Sequence, residues 1–303
     1  DANKFLINTS GGKFIPFDNK EEQNWSNPFA FIHAADTQFG MYEHFVEKRK
    51  DNYGWHREIA WSEQLIADIN AMTPKPKFLV ICGDLLEAFP ETEPKLREKQ
   101  EKDFKNVFSA LDIPLLCVCG NHDIGNTPTE DTIATYRSSF GDDYFSFWCG
   151  GVYFIVINSQ FYENDSKVKQ LSAEHETWLE QQLEYVKREQ PKHSIVLQHI
   201  PWFQNNPDEP KNPWNFEKDI RTVMLKKYYD AGIRHIYCGH YHRNGGGFYK
   251  DMELVVTAAV EVNVQNDGTT PSNDHGYRVV KVLDNKLEHS YYELGTAPSS
   301  ISW

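Results

Sequence analysis

The chain has 303 residues, 40% of them hydrophobic and 14% aromatic, and a formal net charge of −13. That length and apolar content support one large α/β domain or two small ones. The acidic balance argues against an extended nucleic-acid or anionic-membrane surface. No apolar run approaches the roughly 18–20 residues needed to span a bilayer; the longest, Val152 to Ile157, suits a strand.

Residues 1–28 are polar, carry Gly11-Gly12 and show no sustained period, so they read as a lead-in segment to a single domain over 29–303. The chain starts at Asp1 rather than Met, as a trimmed or processed product would. From Phe29 a pattern repeats: a short apolar run, a functional residue at its end, then a longer amphipathic stretch. The first run, Phe29 to Ala35, ends at Asp36. Trp55, Ile59, Ser62, Ile66 and Ile69 recur at helical spacing and predict a helix over about 55–72. The second run, Phe78 to Cys82, ends at Gly83-Asp84. Glu91 to Leu111 is charged and helical in composition. The third run, Ile113 to Val118, leads into Cys119-Gly120-Asn121-His122-Asp123.

Thr129 to Phe140 predicts a further helix. Tyr144 to Trp148 and Val152 to Ile157 flank Gly150-Gly151, a hairpin signal. Ser172 is expected to N-cap a helix with Trp178, Leu179, Leu183 and Val186 on one side. Ser194 to Gln198 ends at His199. A helix from about Glu217 should turn Ile220, Val223, Met224 and Tyr228 inward and end at Gly232. Arg234 to Cys238 ends at Gly239-His240. Thereafter Met252 to Val260, Tyr277 to Leu283 and Leu287 to Leu294 read as strands without intervening helices. Alternating strands and helices imply a mostly parallel sheet, and the closing strands a second sheet or an antiparallel extension.

Five cysteines, an odd number, lie in or beside apolar and aromatic runs. They read as small buried hydrophobes of a reducing, cytoplasmic compartment. Asn8, Asn24 and Asn164 open glycosylation-type triplets at about the number chance supplies.

Asp36, Asp84, Asn121, His199 and His240 each lie just past a strand end. In open α/β sheets that is where ligands bind. His44, His56, His175, His193, His235, His275 and His289 lack that context and carry no functional reading. Five blocks follow one another in order: Asp36-Thr37-Gln38, Gly83-Asp84-Leu85-Leu86-Glu87, Gly120-Asn121-His122-Asp123, His199, and Gly239-His240-Tyr241-His242.

This series, spread over residues 29–244, resembles the calcineurin-like metallophosphoesterase superfamily, whose signature runs D-x-H, G-D-x-x-D, G-N-H-D/E, H and G-H-x-H. Ala35 to Gly40, Gly120 to Thr129 and Gly141 to Trp148 are similar to a serine/threonine protein phosphatase branch of it. The resemblance implies a four-layer α-β-β-α sandwich of two mixed sheets flanked by helices. It implies two metal ions, Mn, Fe or Zn by the mixed N and O donors. One would be held by Asp36 and His242, with Gln38 in place of the usual His. The other would be held by Asn121, His199 and His240, with Asp84 bridging. His122 would act on the transferring group, oriented by Asp123. Glu87 stands where Asp is usual, which puts its supporting role in question. No Arg pair flanks the metal motifs, leaving Asn126 and Arg243 as candidate phosphate-binding residues.

The function so implied is metal-dependent hydrolysis of phosphomonoesters, with phosphoserine or phosphothreonine of a protein partner as substrate and a monomeric enzyme. A phosphodiesterase of nucleotides or lipid head groups is a second reading. A non-catalytic scaffold keeping the fold is a third. The aromatic, Pro- and Asn-rich stretch Trp202 to Phe216 is expected to overhang the site.

Overall fold

The apolar runs that end in Gly, Asp or His become strands, and the amphipathic stretches between them become helices. The computed structural model describes residues 4–303. In chain order these are β1 (Thr9–Ser10), β2 (Lys13–Phe14), β3 (Phe29–Ala34), α1 (His56–Asn70), β4 (Leu79–Cys82), α2 (Pro94–Phe108) and β5 (Leu115–Val118). The one-turn helix α3 (Asn121–Ile124) and α4 (Glu130–Phe140) follow, then β6 (Phe145–Cys149), β7 (Val152–Val156), α5 (Gln160–Glu163), α6 (Lys169–Glu189) and β8 (His193–Leu197). The remainder is α7 (Lys218–Ala231), β9 (His235–Cys238), β10 (Gly245–Tyr249), β11 (Met252–Val256), β12 (Asn263–Val264), β13 (Pro271–Ser272), β14 (Gly276–Val282) and β15 (Leu287–Glu293).

Two mixed sheets result. The first has the order β15-β14-β3-β4-β5, with β3, β4 and β5 parallel and the closing strands antiparallel at one edge. The second has the order β10-β11-β9-β8-β7-β6, parallel at its centre and antiparallel at both edges. Strands β3, β4, β5 and β7 are buried on both faces, so they read as continuous apolar runs, whereas the edge strands β6 and β15 alternate.

Three apolar layers hold the sandwich together. Between the sheets, Phe31, Val80 and Leu116 meet Phe147, Phe154, Leu197 and Tyr237. Outside the first sheet, Ile32 and Ile81 pack with Leu65 and Ile69 of α1, Phe104 of α2 and Tyr136 of α4. Outside the second, Ile155 and Val196 pack with Leu179 and Leu183 of α6 and with Met224 and Tyr228 of α7. This is the expected α-β-β-α sandwich. Residues 4–28 lie against it: Phe14 is buried between the sheets, stacked with Phe145.

Two local expectations are corrected. The sixth helix begins at Lys169, so Ser172 sits inside its first turn and does not cap it. Val223 is 52% exposed, and the α7 face turned inward is Arg221, Met224, Leu225 and Tyr228. Arg221 is buried because its guanidinium donates to the carbonyls of Pro207, Glu209 and Phe216, which anchors the segment before the helix.

Candidate metal centre

The parallel strands of both sheets deliver their carboxyl ends to one place. Asp36 N–H donates to the Gly83 carbonyl and Gln38 N–H to the Asp84 carbonyl, each at 3.0 Å, which ties the loops after β3 and β4. Gly239 N–H donates to the His199 carbonyl at 3.0 Å, tying those after β8 and β9. The two sheets are joined where His240 N–H donates to Asp36 Oδ2 at 3.0 Å. Among the described residues, nine other than glycine have positive φ, and five of them are Asp36, Gln38, Asp84, His240 and His242. Each such residue costs about 1–3 kcal/mol, so the strain is concentrated at the expected ligands. Gly83 and Gly120 are required here for space: a Cβ on Gly83 would overlap the His199 imidazole, and one on Gly120 would overlap Asp84 Oδ1.

Ligand atoms of Asp84, His199 and His240 lie within 4.8 Å of one another, and so do those of Asp36, Asp84 and His242. Asp84 is common to both triads. Its Oδ1 accepts from His122 N–H at 2.9 Å and its Oδ2 lies 3.2 Å from His199 Nε2. Neighbouring carbonyls fix which imidazole nitrogen faces the centre. His199 Nδ1 meets the Cys82 carbonyl at 2.6 Å, leaving Nε2 toward Asp84, Asn121 Oδ1 (3.1 Å) and His240 Nδ1 (3.1 Å). His242 Nδ1 meets the Val262 carbonyl at 2.6 Å, leaving Nε2 3.6 Å from Asp36 Oδ1. His240 Nε2 lies 3.3 Å from the Pro213 carbonyl, so the stretch 202–216 reaches the centre, as expected.

A profile of the family described as calcineurin-like phosphoesterase matches residues 29–244. The chain belongs to the calcineurin-like phosphoesterases. It is 43% identical over 289 residues to the human serine/threonine-protein phosphatase CPPED1, covering 94% of this chain and 90% of that protein. It is 42% identical over 282 residues to the Bos taurus protein of that name, covering 92% and 88%. Among solved structures, a dimetal phosphatase from Danio rerio superposes with a TM-score of 0.64 at 12% identity. That match covers 89% of this chain and 100% of the other, and it shows the shared fold.

Members of this family use divalent metal ions, and the phosphoesterase described here has the donors for them. Among the described residues, Asp36 Oδ1 and Gln38 Oε1 are buried without a hydrogen-bond partner, which is costly unless a cation meets them. Electrostatics of the metal-free chain agree. Burial works to raise the Asp84 carboxyl, but His199 and His122 outweigh it and hold it low. Burial works to lower His199, but Asp84 outweighs it and raises the imidazole to about 9. Burial and the adjacent His199 lower His240 to about 3. Burial raises Asp36 to about 6 against the pull of His242 and His199. At neutral pH a proton on His199 thus occupies the place of a cation. Metal ligation requires the deprotonated imidazole. Metal uptake at pH 7 is therefore expected to release protons, and apparent affinity should rise with pH up to about 9. Calorimetry in buffers of different ionisation enthalpy checks this; a buffer-independent heat would contradict it.

The two positions where the phosphoesterase leaves its family's signature touch each other. Gln38 Nε2 donates to Glu87 Oε2 at 2.8 Å. Glu87 Oε1 accepts from His44 Nδ1 at 2.9 Å. The longer Glu side chain thus reaches the Gln38 amide and commits its NH2, turning Oε1 into the free atom. The supporting role put in question by the sequence is occupied. Gln38→His is expected to raise metal affinity, because imidazole is the stronger donor for borderline ions. Glu87→Ala should lower it about 10–100-fold. Metal content after dialysis measures both; unchanged content in both variants would remove Gln38 from the ligand set.

His122 Nδ1 meets the Glu87 carbonyl at 2.7 Å, and the ring stacks on Phe89 at 4.2 Å. Its Nε2 is thereby left without a hydrogen-bond partner among the described residues. Asp123 does not orient it, and that expectation is corrected. Asp123 points away, accepting from Gly120 N–H (2.8 Å), Leu85 N–H (3.1 Å) and Arg97 (3.1 Å). A residue three positions into a helical turn bonds back to the turn's entry more readily than it reaches its neighbour's ring. Arg97 also donates to the carbonyls of His122 and Ala88, each at 3.0 Å. It was missed in the charged stretch before β5, although Arg97, Gln100, Phe104 and Phe108 share one helix face.

Of the candidate phosphate-binding residues, Asn126 Oδ1 accepts from Asn121 Nδ2 at 3.0 Å. Arg243 stacks its guanidinium on Tyr241 at 4.0 Å and near Trp214 at 5.1 Å. With His242 it lines a polar cavity of about 630 Å3.

Proposed function

We propose that this chain is a metal-dependent phosphomonoesterase acting on phosphoserine or phosphothreonine in proteins, with a dinuclear centre of Mn, Fe or Zn. The observation that carries the reading is Asp84, one carboxylate shared by two ligand triads beside an imidazole with a free Nε2. Asp36, Gln38 and His242 would hold one ion, and Asn121, His199 and His240 the other. Bound ions of this kind supply an activated water and neutralise phosphoryl charge.

The chain's own residues do the rest. His122 Nε2 donates a proton to the departing alkoxide of serine or threonine, a poor leaving group unless protonated. In the metal-free chain burial opposes protonation of His122, but the charges of Glu87 and Asp84 prevail and raise it, as a proton donor needs. The Glu87 carbonyl and the Phe89 ring hold the imidazole in place. Arg243 binds the phosphate oxygens from the His242 side and the Asn126 amide from the Asn121 side. The names of the relatives support a phosphoprotein substrate. Retention of His122 and of every signature ligand except the residue at 38 supports catalysis over a scaffold.

A cytoplasmic site is proposed on five buried free thiols and on Asn8 and Asn164, whose amides donate to the Leu115 carbonyl and Thr127 Oγ1. No helix among the described residues is long and apolar enough to cross a membrane.

With metal supplied, kcat/KM for phosphomonoesters and phosphoserine peptides is expected to exceed that for bis-aryl phosphates and cyclic nucleotides. A screen giving the reverse order would replace this reading with the diesterase one. Chelation should abolish turnover, and Mn2+ should restore it.

A further inference from the structure

Beside the metal centre runs a groove of about 450 Å3 between the start of α2 and α4. Its walls are mostly apolar: they join the rings of Pro90 and Pro94 to Thr129, Thr132 and Thr135, and the Thr129 and Thr132 hydroxyls are engaged with each other and the local backbone. Glu91, Glu98, Glu101 and Asp131 form its rim. Glu101 is engaged by Lys105 and Ser139. Glu91, Glu98 and Asp131 are exposed and have no ion-pair partner among the described residues. The one cation in the lining, Arg97, is buried and committed to Asp123 and to the His122 and Ala88 carbonyls, so it does not neutralise the rim.

The groove comes close to His122 and Asn126 at two points. Phe89, stacked on His122, leads directly into Pro90 and Glu91. The Glu91 carboxylate stands over Gly125, the residue before Asn126. A chain whose phosphate lies at His122 has Pro90 and Glu91 within reach of its neighbouring residues. An apolar trough under an acidic rim matches one kind of side chain, the methylene stem and charged head of arginine or lysine.

We propose that this groove binds a basic residue flanking the phosphorylated serine or threonine, and that the preferred substrates are phosphoproteins with arginine or lysine near the phosphosite. The inference rests on the phosphoprotein reading above for its substrate, and on the groove alone for its ligand.

The test uses two nonapeptides with phosphoserine at the centre, one carrying arginines on both sides and the other alanines, with p-nitrophenyl phosphate as a substrate that has no flanking residue to place in the groove. The arginine peptide should have the lower KM. Glu98→Lys and Asp131→Lys should each raise its KM by about fivefold, and the double variant further, as expected for exposed charge pairs. Neither should change turnover of p-nitrophenyl phosphate or the KM of the alanine peptide. Added salt should erase the preference. Equal KM values for the two peptides, or a loss in the variants shared by both, would overturn the proposal. If neither peptide is hydrolysed while p-nitrophenyl phosphate is, the phosphoprotein reading fails instead. Fluorescence anisotropy with the unphosphorylated arginine peptide then decides the groove: binding weakened by Glu98→Lys sustains it, and no binding removes it.

Discussion

Asp84→Asn is expected to reduce turnover at least about 10³-fold while the protein stays folded. Both oxygens of this carboxylate are in use. Oδ1 accepts from His122 N–H at 2.9 Å and Oδ2 faces His199 Nε2 at 3.2 Å. An amide can keep only one of these. If its oxygen stays with His122 N–H, its NH2 is turned on His199 Nε2, where the carboxylate oxygen now stands. Charge is lost from both ligand triads at once, so metal content should fall at both sites. The fold should persist because the neutral amide lets His199 release its proton, so no unpaired charge stays buried. Melting of the metal-free variant is expected somewhat below the wild-type temperature, because the pairing that holds the Asp84 carboxyl low is lost. Near wild-type turnover with metal still bound would mean that Asp84 is not the shared ligand.

The second large effect is on stability. Arg97→Ala leaves Asp123 buried beside backbone N–H groups with its cation gone. The two side chains are 7% and 0% exposed, so solvent does not screen the loss. Removing one partner of such a pair costs about 3–5 kcal/mol, which for a chain of this size lowers the melting midpoint by roughly 10 °C.

The pH dependence has a definite sign. Burial already raises the Asp123 carboxyl, and Arg97 is the main force opposing that rise. Without Arg97 the folded-state pKa climbs further, which favours the protonated form in the fold. Such a group contributes stability at low pH and loses it as pH rises through its folded pKa. The deficit of the variant should therefore be smallest in acid and largest near neutrality. Arg97→Lys should recover part of it, since the charge returns without the guanidinium fork that also holds the His122 and Ala88 carbonyls. Equal melting of Arg97→Ala and wild type at pH 7 would show that Asp123 is neutral in the fold.

What the sequence determined by itself was the order of chemistry along the chain. Runs of five to seven residues leading into Asp36, Gly83-Asp84, Gly120-Asn121, His199 and Gly239-His240 made strands, and the series of candidate ligands was legible because these residues follow closely on strand ends. The glycines were legible too, though their reason was not: Gly83 and Gly120 make room for His199 and Asp84, residues 116 and 36 positions away in sequence. Only the tertiary structure decided the partners. That Gln38 and Glu87 hydrogen-bond, that Asp123 serves Arg97 and the backbone rather than His122, and that Pro213 reaches His240 all depend on contacts between segments far apart in sequence. Periodicity reports which face of an element is buried. It does not report which buried polar atom meets which, because that is set by where the sheets and helices come to rest against each other.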